Sequence, residues 1–229
     1  MTLLVTGASG FLGQALIPSL AVRGLQGYAV SRSAIRSLPP GWSWLSRDRF
    51  KSGSALLRNA EGCDGFIHLE VKQHVPRPTI EDICEFEEVN VRGTAQWLNW
   101  CSNLGVKRFV YFSSIKAVCA GEHQQAENAS GPHSSPYGKS KWKAERLVIN
   151  WANEDTDRSV LILRPAVVYG PGNAANVFAM VDSLAKKRFY LIGRKDNIKS
   201  LVSIENLCSA VVYLLLRMKP GVEIYNIVD

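Results

Sequence analysis

Short apolar runs alternate with longer amphipathic stretches along this chain. Leu3 to Thr6 is an apolar run that stops at a glycine, the pattern of a buried parallel strand. Phe11 to Arg23 follows with Leu12, Leu16 and Leu20 on one helical face. Further strands are predicted at 28–30, 65–71, 108–113, 159–163 and 223–228. Helices are predicted at 80–104, 139–153, 177–187 and 204–218. Strand alternating with helix at crossover length predicts an α/β fold, a doubly wound parallel sheet covered on both faces. Residues 121–136 are polar and rich in His, Ser and Gln, which predicts a long loop.

Composition agrees with a globular chain. Of 229 residues, 46% are apolar and 21% charged, too apolar for a disordered chain. The longest apolar stretch, Leu207 to Leu216, is half of what spans a bilayer, so no membrane segment is expected. The five cysteines are scattered, odd in number and never in a Cys-x-x-Cys pair, so neither a metal site nor a disulfide framework is expected. With no leader pattern at the first residues, the expected location is cytoplasmic. The formal charge of +7 comes without a Lys/Arg-rich arm, so an anionic small ligand is expected and nucleic acid is not.

Gly7, Gly10 and Gly13 stand in TGASGFLG, directly after the first strand and at the start of the first helix. Glycines there let the backbone turn sharply and let a pyrophosphate approach the amides. The helix start adds free N–H groups and the positive end of the dipole. After the second strand, an Asp or Glu would bind a ribose 2′-hydroxyl. This chain has Ser31-Arg32-Ser33 instead. An arginine attracts a 2′-phosphate, so NADP(H) is expected over NAD(H).

Tyr137 and Lys141 lie four apart at the start of a predicted helix, on one face. A free phenol is a poor base at neutral pH, and a nearby ammonium is expected to lower its pKa. Tyr137 then exchanges a hydroxyl proton while a hydride moves. Ser113 and Ser114 end the fourth strand, where ligands sit in open α/β sheets.

These motifs resemble the extended short-chain dehydrogenases/reductases, the nucleotide-sugar epimerase/dehydratase group. The likeness runs through TGASGFLG (7–13 with its lead-in), FIHLE (66–70), NVRGT (90–94), FVYFSS (109–114), PYGKSKWKAE (136–145), LRPAVVYGPG (163–172) and SLVSIENL (200–207). It implies a Rossmann core at 1–166, a partial substrate lobe at 167–199, and a return helix and strand at 200–229. It implies Ser114, Tyr137 and Lys141 as the catalytic residues. It implies cofactor contacts from Gly7, Gly10, Phe11, Leu12, Gly13, Leu69, Asn90, Ser113, Pro165 and Val168, with Arg32 added by the strand-end argument. Glu70 replaces the family's usual alanine.

The resemblance also narrows the reaction. Sugar 4,6-dehydratases carry Asp-Glu after the catalytic hydroxyl, where this chain has Ile115-Lys116. The run SSIK is most similar to UDP-hexosamine 4-epimerases and 4-keto-reductases of surface-polysaccharide synthesis. A nucleotide-sugar substrate is therefore expected, with Ser114, Lys116 and Arg194 as its contacts. Residues 186–199 hold six basic side chains against one acid, a field suited to a pyrophosphate. The rival reading is a dinucleotide-binding sensor or assembly module that has lost catalysis, although both Tyr137 and Lys141 are kept. A homodimer through a four-helix bundle is implied, with Trp97, Trp100, Trp142 and Trp151 as candidate anchors.

Overall fold

The computed structural model describes residues 1–48, 62–118, 126–128, 131–132, 134–173, 176–188 and 199–229. Its centre is a seven-stranded sheet in the order β3-β2-β1-β4-β5-β6-β9. The strands are β1 Thr2–Thr6, β2 Gln26–Ser31, β3 Trp42–Ser46, β4 Gly65–His68, β5 Arg108–Phe112, β6 Ser159–Pro165 and β9 Gly221–Ile227. Every pairing in this sheet is parallel. Two three-residue strands, β7 Val167–Tyr169 and β8 Leu201–Ser203, pair parallel beside it.

The helices are α1 Phe11–Val22, α2 Ile80–Glu85, α3 Gly93–Asn103, α4 Pro136–Asn153, α5 Asn176–Ala185 and α6 Ile204–Leu215. The chain winds from β1 outward to β3, then returns to β4 and winds the other way. Between β1 and β4 the direction reverses, and the carboxyl ends of the strands open a crevice there. This is the expected doubly wound α/β fold.

Period-2 alternation sends neighbouring strand residues to opposite faces. Leu3, Val5, Ile67, Val110, Leu161 and Leu163 face α1 and α6, where Leu16, Ile17, Leu20, Leu207, Val211 and Leu215 complete an aliphatic layer. Leu4, Phe66, Phe109, Tyr111, Val160 and Ile162 face α3 and α4, where Trp97, Leu98, Val148 and Trp151 complete an aromatic one. Phe66 and Phe109 stack there with centroids 5.2 Å apart. Trp97 and Trp151 are core residues, which removes two of the four anchors expected for a dimer.

Local chemistry sets the helix starts. Ser135 caps α4, its Oγ accepting from the Gly138 N–H at 3.1 Å, and Pro136 occupies the first turn, where its missing donor costs nothing. Ser203 caps α6 in the same way through the Asn206 N–H. Thr79 and Asp82 close a capping box on α2.

Several sequence expectations are corrected. The single helix expected at 80–104 is interrupted by a π-helical turn, Phe86–Arg92, between α2 and α3. The strand expected at 65–71 ends at His68, and the Leu69–Glu70 backbone lies against Gly7. Edge strand β3 and the short β7 and β8 were not expected. Of the polar segment 121–136, the described residues before α4 form no helix, and Pro132 bridges to Val118. No helix among the described residues is long and apolar enough to cross a membrane.

Candidate active site

Gly7 leaves β1 with φ at +67°, a region open to glycine. A Cβ there would lie 2.8 Å from the Leu69 carbonyl carbon, so a side chain is also excluded by space. Gly13 packs its backbone on Ala8, where a Cβ would meet the Ala8 Cα and O at 2.6 Å. Gly10 caps α1 without any side-chain hydrogen bond, leaving the first-turn N–H groups uncapped by a side chain. Phe11 and Leu12 are half-buried against the aliphatic layer, and Leu69 is buried in it. The loop is thus a cradle that side chains would fill, and it fits a pyrophosphate.

Arg32 stands exposed just past β2, and among the described residues no carboxylate pairs with it. Its neighbour Ser31 donates to the Ser33 carbonyl and accepts from Trp44 Nε1. No acid takes the place at this strand end. Glu70, unexplained by the sequence, has two partners. Its carboxylate accepts from Arg47 Nε at 2.5 Å and from Trp97 Nε1 at 3.0 Å, which ties the ends of β3 and β4 to α3.

At the carboxyl end of β5, Ser113 is buried and its Oγ has no partner among the described residues. An orphaned hydroxyl of this kind calls for an explanation, and a bound ligand is one. Ser114 starts a single 3-10 turn, Ile115–Ala117, and its Oγ accepts from the Lys116 N–H. The Ser114 side chain neighbours the Tyr137 phenol. Phe86 and His74 meet the Tyr137 ring edge-on, with centroids 5.8 and 5.7 Å away.

Burial pushes the Tyr137 phenol up to about 12, with the neighbouring Ser114 side chain working against it. This corrects the expectation of a phenol lowered by Lys141. The reason is geometric. The Lys141 ammonium donates to the Phe112 carbonyl at 2.6 Å and lies 4.2 Å above the Tyr111 ring. Burial brings Lys141 itself down to about 7, with Glu145 opposing.

Asn90 sits on the π-helical turn, buried. Its Oδ1 accepts from the Lys72 N–H, and its Nδ2 donates to the Lys72 carbonyl and to Ser140 Oγ. Ser140 in turn donates to the Tyr137 carbonyl. In this structure the amide therefore fastens the segment after β4 to α4, rather than standing free for a cofactor.

A family model described as the NAD dependent epimerase/dehydratase family matches residues 3–228. The chain belongs to that family. It is 29% identical over 229 residues to N-acetyl-alpha-D-glucosaminyl-diphospho-ditrans,octacis-undecaprenol 4-epimerase of Escherichia coli O157:H7, covering 99% of this chain and 66% of that protein. It is 29% identical to UDP-glucose 4-epimerase of Vibrio cholerae, covering 100% of this chain and 70% of that protein. Among solved structures, MoeE5 in complex with UDP-glucose and NAD superposes with a TM-score of 0.84 at 27% identity, covering 100% of this chain and 76% of that one. The chain thus spans about two thirds of the Escherichia coli protein.

Within this family member the fold gathers Ser113, Ser114, Tyr137 and Lys141 at one end of β5 and α4. Pro165 is buried at the end of β6, and Val168 is half-buried on β7, its carbonyl accepting from Asn173 Nδ2. Lys116 is half-buried on the 3-10 turn after Ser114, its amine lowered by burial and by the charge of Lys199. Arg194 lies outside the described residues, as does most of the basic stretch. His74 and Arg47 were missed by sequence reasoning. His74 carried a signal, being the one imidazole in the segment between β4 and α2, whereas Arg47 had none; Lys199 belongs to the basic stretch that the sequence singled out.

Proposed function

We propose that this chain binds a nicotinamide dinucleotide across the carboxyl edge of the sheet and carries out hydride chemistry at C4 of a sugar linked to a diphosphate. One observation carries the reading: Ser114 at the end of β5 neighbours the Tyr137 phenol, with Lys141 one turn further along α4 donating to the Phe112 carbonyl. The sugar class rests on the relatives, which act on diphosphate-linked sugars by name. A UDP-hexosamine is the finer proposal, with Lys116 as a contact and Lys199 contributing charge beside it.

When bound, the nicotinamide supplies the hydride donor or acceptor. Tyr137 supplies or removes the proton at the sugar's C4 oxygen, so that one proton and one hydride move together. Ser114 holds that oxygen within reach of the phenol. With the phenol held near 12, Tyr137 is protonated at neutral pH and set to donate, the role a keto-reductase needs. Ile115 and Lys116 replace the acid–base pair of a dehydratase, and neither side chain can do that work.

Arg32 and the acid-free end of β2 favour a 2′-phosphate, and hence NADP(H). The NAD held by MoeE5 favours the other choice for relatives of this shape. A fluorescence titration with NADPH and NADH decides between them. Preference for NADPH, lost by about tenfold or more in Arg32→Ala, supports an exchanging reductase. Preference for NADH, or cofactor that co-purifies, supports an epimerase. Binding of neither dinucleotide refutes the enzyme reading for this chain.

A further inference from the structure

Tyr137, Lys141 and Glu145 follow one another at single-turn spacing on the inward face of α4. Lys141 and Glu145 are both buried, each with 1% of its surface exposed. Glu145 is held by both arms of Arg164 from β6, with Oε1 accepting from Nε at 2.9 Å and Oε2 from Nη2 at 2.7 Å. The remaining Arg164 nitrogen, Nη1, donates to the Glu127 carbonyl at 2.9 Å. Glu127 Oε1 accepts from the Asn226 N–H of β9. The pair is therefore fixed from four segments of the chain.

A buried ion pair of this kind gives a fold little that apolar side chains would not give. Its neighbour supplies a reason for it. Lys141 is a buried ammonium whose direct partners are a carbonyl and the face of a phenol ring. The ionisable groups around it can be counted by element. On α4 these are Tyr137 and Glu145, and Tyr137 is neutral at pH 7. On β5 it is Tyr111, whose phenol burial pushes far up. On β4 it is His68, held neutral at about 3. On β6 it is Arg164, already spent on Glu145. Glu145 is the one negative charge in that set.

We propose that Glu145, locked in place by Arg164, is a positioning residue that keeps the buried Lys141 ammonium charged beside Tyr137. The assignment rests on the functional reading above only for the task it gives Lys141. Its test reads Lys141 directly, in the unliganded chain.

With lysine labelled by 13C and 15N, the Cε and Nζ resonances of Lys141 are followed from pH 5 to 11, assigned by their loss in Lys141→Met. Glu145→Gln is expected to lower the titration midpoint by about one pH unit or more, a tenfold loss in proton affinity. Glu145→Asp is expected to bring it back toward the parent value. Glu145→Gln/Arg164→Met is expected to fall between parent and single variant, because the now unpaired guanidinium has gone as well. A midpoint that stays within about 0.3 of the parent in Glu145→Gln overturns the proposal. Should that variant not fold, the double variant decides alone, since it leaves no unpaired buried charge. A lowered midpoint then supports the proposal and an unchanged one overturns it. If Lys141 shifts as stated while the parent chain binds neither NADPH nor NADH, the functional reading fails and this one stands.

Discussion

On the α1/α6 face of the sheet the buried layer is mostly aliphatic, with Trp42 and Phe112 its aromatic members: Leu16, Ile17, Leu20, Leu207, Val211 and Leu215 lie against Leu3, Val5, Ile67 and Leu161. On the α3/α4 face, aromatic rings share the interior with His68, Asn90, Thr94, Ser140, Lys141, Glu145 and Arg164, all nine-tenths or more buried. The same seven strands supply both faces. The first face stabilises the fold by removing apolar surface from water, about 1.5–3 kcal/mol for each large aliphatic side chain. The second gives up part of that gain, because charges and amides taken from water must be matched partner for partner. Its polar groups line up behind Ser114 and Tyr137. The difference teaches that one face is built on apolar burial and the other on polar groups matched partner for partner, the side on which the proposed chemistry would sit.

The sharpest way to test that division is at the phenol. Tyr137→Phe removes one hydroxyl beside Ser114 and leaves the ring contacts with Phe86 and His74. Turnover on a keto-sugar with NADPH or NADH is expected to fall by about 10²–10⁴-fold. The thermal midpoint is expected to stay near the parent value. Turnover that survives unchanged removes Tyr137 from the chemistry.

The opposite result is expected on the aliphatic face. Leu215 is fully buried in the last turn of α6, packed with the α1 layer and away from the cradle. Leu215→Ala is expected to cost about 2–5 kcal/mol in urea unfolding, through lost burial and a residual cavity. Its dinucleotide affinity and the shape of its stability-versus-pH curve are expected to match the parent. A changed pH dependence in that variant breaks the comparison between the two faces.

What could be read from sequence was local. TGASGFLG, the apolar strands and the Tyr137–Lys141 spacing each lie within one element and its immediate neighbours, so the first strand, the turn after it and the helix that carries Tyr137 and Lys141 were legible. The misses were long-range. Trp42 to Ser46 alternates too briefly to announce a strand, and it forms one because β2 offers it an edge. Arg47 and Glu70 lie 23 residues apart, and Glu145 and Arg164 lie 19 apart. In the run KWKAE, Glu145 reads as an ordinary exposed helix residue until β6 is laid against it. The direction of the Tyr137 shift failed for a related reason. Four-residue spacing puts Lys141 on the same face, but the Phe112 carbonyl decides where its ammonium goes.

The pH dependence that the aliphatic face lacks is expected from His68 on the other. Its Nδ1 lies 2.9 Å from Thr6 Oγ1 and its Nε2 lies 3.0 Å from Thr94 Oγ1. Thr94 already donates to the Asn90 carbonyl at 2.7 Å, so its oxygen accepts from the imidazole. The proton is thereby assigned to Nε2, and Nδ1 accepts from Thr6. A second proton on Nδ1 would force the Thr6 hydroxyl to turn from donor to acceptor, and burial with Lys141 and Arg47 nearby lowers the folded pKa to about 3. The unfolded chain takes up that proton near the ordinary value of about 6.5. Between these values the unfolded state holds more protons, so stability from this group is full above the upper one and falls as pH drops toward the lower one. The slope approaches about 1.4 kcal/mol per pH unit, which integrates to about 2 kcal/mol between pH 7 and pH 5. Urea midpoints of the parent are expected to show that loss, and His68→Gln, which cannot titrate, is expected to lack it. If both proteins lose stability in parallel, the imidazole is not the group that couples this face to pH.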